Sequence, residues 1–72
     1  MDFRERIVIN PAVRSGKPII KGTRIAVVDI LEYLAAGETP DTLLEEYPNI
    51  EREDILACLA FAAEQAKGSR IA

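Results

Sequence analysis

The side chains best suited to chemistry are the cations of one short segment, GKPIIKGTRIAV, which runs from residue 16 to residue 27. Lys17, Lys21 and Arg24 bring three positive charges into eight positions, and Thr23 adds a hydroxyl. The two glycines permit positive φ and the proline fixes its own φ, so the backbone here should be a defined turn. We predict a basic contact surface on a fixed backbone; a structured turn with solvated lysines is the plainer alternative.

The remaining polar residues argue against an enzyme. The chain has no histidine, so general acid–base catalysis would depend on carboxylates or lysine. Its single cysteine, Cys58, lies among apolar residues that favour an inert thiol, and it allows neither an intramolecular disulfide nor a convincing zinc site. Gly16 and Gly22 lack the spacing of a phosphate-binding loop. We therefore predict a non-enzymatic binding protein with no metal or cofactor.

Length and hydropathy indicate one small domain. The chain has 72 residues, of which 49% are hydrophobic, too many for a disordered chain of this charge. A domain of this size buries a modest core, so it usually needs a disulfide, a structural metal or a partner chain for stability. No long apolar run suggests a membrane span, and the N-terminus lacks a signal-peptide core, so a soluble cytoplasmic protein is expected.

The net charge of −3 is unevenly distributed along the chain. Residues 1–26 hold six basic and two acidic residues, whereas residues 27–72 hold three basic and ten acidic ones. This division indicates either a basic arm that meets a polyanion or an arm and a body that attract one another.

Residues 1–26 are expected to form this basic, extended arm. Alternation over residues 4–9 predicts a short half-buried strand with Ile7 and Ile9 on one face, and Ile19–Ile20 predicts a second strand. A two-stranded ribbon is marginal in water, so pairing within the chain and pairing with a second copy or another protein all remain open.

Residues 27–67 are expected to form three helices in a layout like a helix-turn-helix. The first runs over 27–36, with Asp29 facing water; the second opens at Thr39-Pro40; the third spans 52–67. Residues 68–72 are expected to be a frayed tail. The fold class is thus mainly α, with a short β arm before a three-helix bundle.

The apolar sequence of the third helix predicts an interface with another chain. From residue 55 to residue 63 it reads ILACLAFAA, and a helix that is apolar all round is normally buried all round. We expect a second copy or another protein on the side of Cys58 and Phe61. The alternatives are that the arm folds back over this face, or that the alanines are surface helix formers.

The acidic first turn of the third helix argues against recognition of DNA bases by that helix. Glu51, Glu53 and Asp54 suit the helix dipole but would repel phosphates. Any DNA contact is therefore expected through the arm, with phosphate affinity and little base specificity.

The run GKPIIKGTRIAV, followed by Gly37 and Tyr47-Pro48 at matching intervals, resembles the bacterial family called domain of unknown function 433. The resemblance covers about residues 7–63 and implies a helix-turn-helix-like fold. Many members look like antitoxins encoded beside PIN-like ribonuclease toxins. The resemblance therefore implies an antitoxin that binds such a toxin, with a homodimer and operator DNA as further partners.

Two groups of residues carry these expectations. The contacts to a partner or nucleic acid are assigned to Arg4, Arg6, Lys17, Lys21, Thr23 and Arg24. The oligomer or partner interface is assigned to Ile7, Ile9, Ile19, Ile20, Cys58 and Phe61. A DNA-binding autoregulator without a toxin, and a plain dimerisation module, are the alternative functions.

Overall fold

The structure, a computed structural model, describes residues 2–68. A short N-terminal arm carries two strands, β1 (Ile7–Val8) and β2 (Ile19–Ile20), and two 3₁₀ turns, Phe3–Glu5 and Arg14–Gly16. Three helices follow: α1 (Val27–Ala35), α2 (Pro40–Glu46) and α3 (Arg52–Lys67). The mainly α fold class with a β arm is confirmed, while the expected frayed tail lies, beyond Gly68, outside the described residues.

The two strands pair within the chain as an antiparallel ribbon. Ile7 lies opposite Ile20, and Val8 lies opposite Ile19. Pairing continues on the far side of β2, where the Ile20 N–H donates to the Ile25 carbonyl at 2.9 Å. The ribbon is therefore anchored directly to the start of α1, which offsets the weakness of two isolated strands.

The first strand is shorter than the sequence predicts. The Asp2 carboxylate accepts a hydrogen bond from the Arg4 N–H at 3.0 Å and caps a 3₁₀ turn where a strand was expected. At the other end, the Asn10 side chain accepts from the Ala12 N–H at 3.0 Å and turns the chain away. Ile9 consequently does not share the buried face of Ile7 and is 64% exposed.

Local capping sets the helix boundaries. The Thr39 hydroxyl accepts from the Thr42 N–H at 3.1 Å, with Pro40 in the first helical position, as predicted. In α3 the Asp54 carboxylate accepts from the Glu51 N–H at 2.8 Å. Gly37, with φ of +96°, follows the end of α1 and allows the reversal toward α2.

The core lies where β2 meets the three helices. Its largest fully buried side chains are Ile20, Ile30, Leu43, Ile55 and Cys58. Half-buried aromatic and leucine side chains surround them, among them Phe3 and Phe61. Arm and helices thus share one core, so the arm is a structural part of the domain.

Candidate interaction surface

A tight turn between β2 and α1 presents the basic segment. The Thr23 hydroxyl donates to the Ile20 carbonyl at 2.7 Å and accepts from the Ile25 N–H at 2.9 Å. Gly22 has φ of +80°, a backbone conformation that residues other than glycine rarely adopt. Thr23 was expected to contact a partner; both of its hydrogen-bonding roles are instead used to close the turn, which fixes the backbone beneath Lys21 and Arg24.

Arg6 is engaged inside the molecule. Its Nη1 atom lies 3.0 Å from Oδ1 of Asp54 and 3.6 Å from Oε2 of Glu51. The hydrogen bond to Asp54 raises the pKa of Arg6, with smaller contributions from the nearby carboxylates, against the opposing effect of desolvation. Asp54 itself is buried, so this pair joins the arm to α3 and leaves Arg6 little freedom to contact a partner.

Arg14 forms the second link between arm and body, which the sequence did not reveal. Its Nη1 and Nη2 atoms donate to the two carboxylate oxygens of Asp29 at 2.7 and 3.2 Å, and Nη1 also donates to the Arg24 carbonyl at 2.9 Å. Asp29, expected to face water, is instead held in a bidentate pair. The hydrogen bond from Arg14 lowers the pKa of Asp29, with help from the Ala26 N–H and the charges of Arg14 and Lys17.

Three arm cations remain without such a partner. Lys17, Lys21 and Arg24 are exposed, and among residues 2–68 none of them forms an ion pair. Arg4 is also exposed, with its guanidinium 5.7 Å from the centre of the Phe3 ring and 4.0 Å from Asp2. The predicted basic surface is thus reduced to Lys17, Lys21 and Arg24, with Arg4 apart from them on the first turn.

The predicted interface residues occupy three different environments. Ile7, Ile19, Ile20 and Cys58 are buried in the core of their own chain. Phe61 is half-buried, and its ring meets that of Phe3 edge-on with centroids 5.4 Å apart. Ile9 is exposed. Four of the six residues therefore have no surface to offer a partner unless the fold opens.

Apolar surface on α3 is not confined to the side expected, where Phe61 lines an apolar cleft with Val28 and Leu31. Leu56 and Leu59 are 48% and 44% exposed, whereas Cys58 is fully buried. The arm folds back over the Cys58 and Phe61 side, which was one of the alternatives that the sequence left open. Burial raises the pKa of the Cys58 thiol to about 12, so the thiol is protonated and unreactive at neutral pH.

The first turn of α3 is acidic, as the sequence indicated. Glu51 and Glu53 are exposed, while Asp54 is buried and paired with Arg6. Exposed carboxylates at this end of the helix would meet DNA phosphates with repulsion. Among residues 2–68, no helix is both long and apolar enough to cross a membrane.

A paired β arm packed on three helices, with a basic turn at their junction, defines a small helical domain. Residues 7–62 match the model of the family described as "Protein of unknown function (DUF433)", and the chain belongs to this family. The resemblance carried by the GKPIIKGTRIAV run is thereby confirmed.

Two relatives share most of this domain. The uncharacterized protein y4eO of Sinorhizobium fredii (strain NBRC 101917 / NGR234) is 34% identical over 68 residues, which make up 93% of this chain and 31% of that protein. The crystal structure of a DUF433 member from Anabaena variabilis ATCC 29413 is similar with a TM-score of 0.82 and 31% identity, over 86% of this chain and 61% of that one. The chain thus spans about a third of the curated relative and less than two thirds of the solved one.

Proposed function

We propose that the protein is an antitoxin-like binding protein that neutralises a PIN-like ribonuclease in the bacterial cytoplasm. One observation carries the proposal: Lys17, just before β2, and Lys21 and Arg24, on the fixed turn after β2, stay exposed and unpaired within residues 2–68, while Arg6 and Arg14 are held by the body. The identity of the partner class rests on the family resemblance, since a fold alone does not give a function.

The mechanism is electrostatic competition. A PIN-like nuclease is expected to hold its metal ion with a cluster of carboxylates, and an arginine or lysine that reaches this cluster competes with both the metal and the RNA. Arg24 is the first candidate for this role because it follows the turn closed by Thr23, and Lys21 and Lys17 come next. Thr23 acts as a positioning residue that holds the turn.

Co-expression with the protein encoded by the neighbouring reading frame tests the proposal. We expect a stable complex on affinity purification and restored growth of cells that express the nuclease. Arg24→Ala should weaken neutralisation, and a variant with Lys17, Lys21 and Arg24 all changed to alanine should abolish it. Lys67→Ala is the matched control, because Lys67 is an exposed cation on α3 that lies far along the chain from the turn. Absence of a complex, or full neutralisation by Arg24→Ala, would contradict the proposal.

Operator DNA is the second candidate partner. The same three exposed cations favour it, whereas the carboxylates at the start of α3 disfavour docking of that helix in the major groove. Binding through the arm predicts an affinity that falls steeply with salt, with a slope of about −0.9 for each phosphate neutralised. Affinity for the promoter fragment that barely changes between two salt concentrations rules out this arm-based mode.

A homodimer, with or without a nucleic-acid role, is the third possibility. The links of Arg6 and Arg14 to the body favour such a plain interaction module, and the exposed side chains of Ile9, Leu56 and Leu59 provide apolar surface. Sedimentation of the purified chain at two concentrations tests this: a dimer that Leu56→Glu and Leu59→Glu dissociate supports the module, and a monomer throughout excludes it.

A further inference from the structure

A cleft opens beside the arm, away from the apolar side of α3. It has a volume of about 560 Å³ and lies between the 3₁₀ turn before β2, the outer side of α1 and the end of α2. Its lining combines aromatic, acidic and basic side chains: Arg14, Asp29, Glu32, Tyr33, Ala36 and Tyr47. Concave sites of this size with a few convergent polar groups are the usual form of binding sites in proteins.

Two tyrosines form the aromatic part of the cleft. The rings of Tyr33 and Tyr47 meet edge to face, with centroids 5.9 Å apart and an interplanar angle of 78°. Tyr33 is 37% exposed, so part of its ring is open to a ligand. Burial, followed by the neighbouring Tyr33 hydroxyl and the charges of Asp29 and Glu46, raises the pKa of Tyr47. The Tyr47 hydroxyl therefore remains neutral across the physiological range.

The cationic wall of the cleft, the Arg14 side chain, already uses three of its five N–H donors. The Arg14 guanidinium gives hydrogen bonds to both oxygens of Asp29 and to the Arg24 carbonyl. Its backbone, together with that of Ser15, adopts positive φ (51° and 59°), an uncommon conformation that the surrounding contacts must hold in place. Arg14 is thus held in place by contacts within the chain, and its charge is already paired with that of Asp29.

The charge left in the cleft is negative. Arg14 and Asp29 neutralise each other, whereas Glu32 is exposed and forms no ion pair within the described part of the chain. Glu46 is close enough for its charge to act on Tyr47. Aromatic faces beside an unpaired carboxylate attract a cation, because the ring quadrupole and the carboxylate act in the same direction.

We propose that this cleft binds an arginine side chain presented by a partner protein, with the guanidinium against the Tyr33 ring and hydrogen-bonded to Glu32. Arginine suits the site better than lysine, since its planar guanidinium stacks on aromatic rings and donates to a carboxylate through two N–H groups. None of the exposed arm cations lines the cleft, so the site is separate from the surface proposed above, although the charge of Lys17 acts on Asp29 in its wall.

Intrinsic tyrosine fluorescence tests the proposal directly. The chain contains two tyrosines and no tryptophan, so all of its tyrosine emission comes from the two rings of the cleft. The probe is the capped tripeptide acetyl-glycyl-arginyl-glycinamide, titrated into the full chain at low salt. We expect a saturable change in emission. The same peptide with citrulline, which keeps the shape but not the charge, should give no saturable change.

Variants locate the site. Glu32→Gln should weaken binding of the arginine peptide by about threefold, and Tyr33→Leu by about fivefold, as loss of a partly exposed carboxylate or ring contact implies. Glu45→Gln, which removes an exposed carboxylate outside the lining, should bind as the wild type does. If Tyr33→Leu fails to fold, the affinity of Glu32→Gln for the arginine peptide still tests the proposal. No saturable change with arginine, an equal response to citrulline, or unchanged binding by Glu32→Gln overturns the proposal.

Discussion

The guanidinium of Arg6 lies 3.0 Å from the buried carboxylate of Asp54, and this contact joins residues 48 positions apart. A second link, from Arg14 to Asp29, ties the arm to α1. The separation of a basic arm from acidic helices therefore has two consequences for the structure. Part of the basic arm neutralises the acidic body, while Lys17 before β2 and Lys21 and Arg24 after it form no ion pair among residues 2–68.

We expect Asp54→Ala to lower the free energy of unfolding by about 1–2 kcal/mol, because it removes the acceptor for the Glu51 N–H at the start of α3. It also removes the partner of Arg6. Arg6→Gln should destabilise the chain as well, since the Asp54 carboxylate would stay buried without its cation. Urea denaturation of both variants measures these effects.

Arg4→Gln is the matched control for Arg6→Gln. Arg4 is an exposed cation of the same arm that is paired only loosely with its neighbour Asp2. Its loss should change stability by less than about 0.5 kcal/mol. Equal effects of the two glutamine variants would mean that the contact between Arg6 and Asp54 does not hold the arm in solution.

Acid should weaken the contact between Arg14 and Asp29. The pKa of Asp29 is lowered in the folded chain, so the unfolded chain binds the proton more readily. The contribution of this pair is therefore fully present above the unfolded pKa, near 4, and is lost as the pH falls through the lower folded value. Urea denaturation at pH 6 and pH 3 should show a smaller acid loss in Asp29→Asn than in the wild type.

Arg14→Gln provides the complementary test, because it removes the cation that lowers the pKa of Asp29 and leaves the carboxylate in place. It should reduce the same acid loss. Asp29→Ala should in addition cost about 1 kcal/mol at pH 6, since it removes the acceptor for the Ala26 N–H at the start of α1. A full acid loss in Arg14→Gln would show that other carboxylates cause it.

Local sequence signals predicted the helices well. Thr39-Pro40 located the start of α2, and the helical pattern that ends at Lys67 located α3. Both signals are local, because capping and helical periodicity depend on neighbouring residues. The second strand, Ile19–Ile20, was also predicted, whereas its pairing within the chain was one of the possibilities left open. The length of β1 was not, because the Asp2 cap and the turn at Asn10 compete with the alternating pattern of the residues between them.

Long-range contacts could not be predicted in the same way. Nothing in the local sequence indicates that Arg14 meets Asp29, or that Phe3 covers Phe61, since both depend on where the arm lies on the helices. The charge division between the two halves of the chain was the only available signal for the first contact. The apolar run in α3 indicated burial on all sides, but it could not reveal that Cys58 faces inward while Leu56 and Leu59 face outward.

The Cys58 thiol should be unreactive in the native chain. Burial raises its pKa to about 12, and the side chain is fully covered. We expect its reaction with a disulfide reagent at pH 8 to be at least roughly 100-fold slower in buffer than in denaturant, because only the exposed thiolate reacts. Comparable rates in the two conditions would indicate that the core around α3 opens readily.

Phe3 and Phe61 should stabilise the chain together. Their rings meet edge to face at 5.4 Å, and both are half-buried against the core. We expect Phe61→Ala to lower the free energy of unfolding by about 2 kcal/mol, less than for a fully buried ring. A double-mutant cycle with Phe3→Leu and Phe61→Leu should give a coupling of about 0.5–1.5 kcal/mol.

Leu59→Ala is the control for this cycle, since Leu59 is exposed on the other side of the same helix. Its replacement should change stability by no more than about 0.5 kcal/mol in the monomer. The cycle also decides how α3 is covered, because coupling requires the first 3₁₀ turn to rest on the helix. If the losses at Phe3 and Phe61 simply add, that turn does not cover Phe61, and the side of α3 that the sequence assigned to a partner becomes available again.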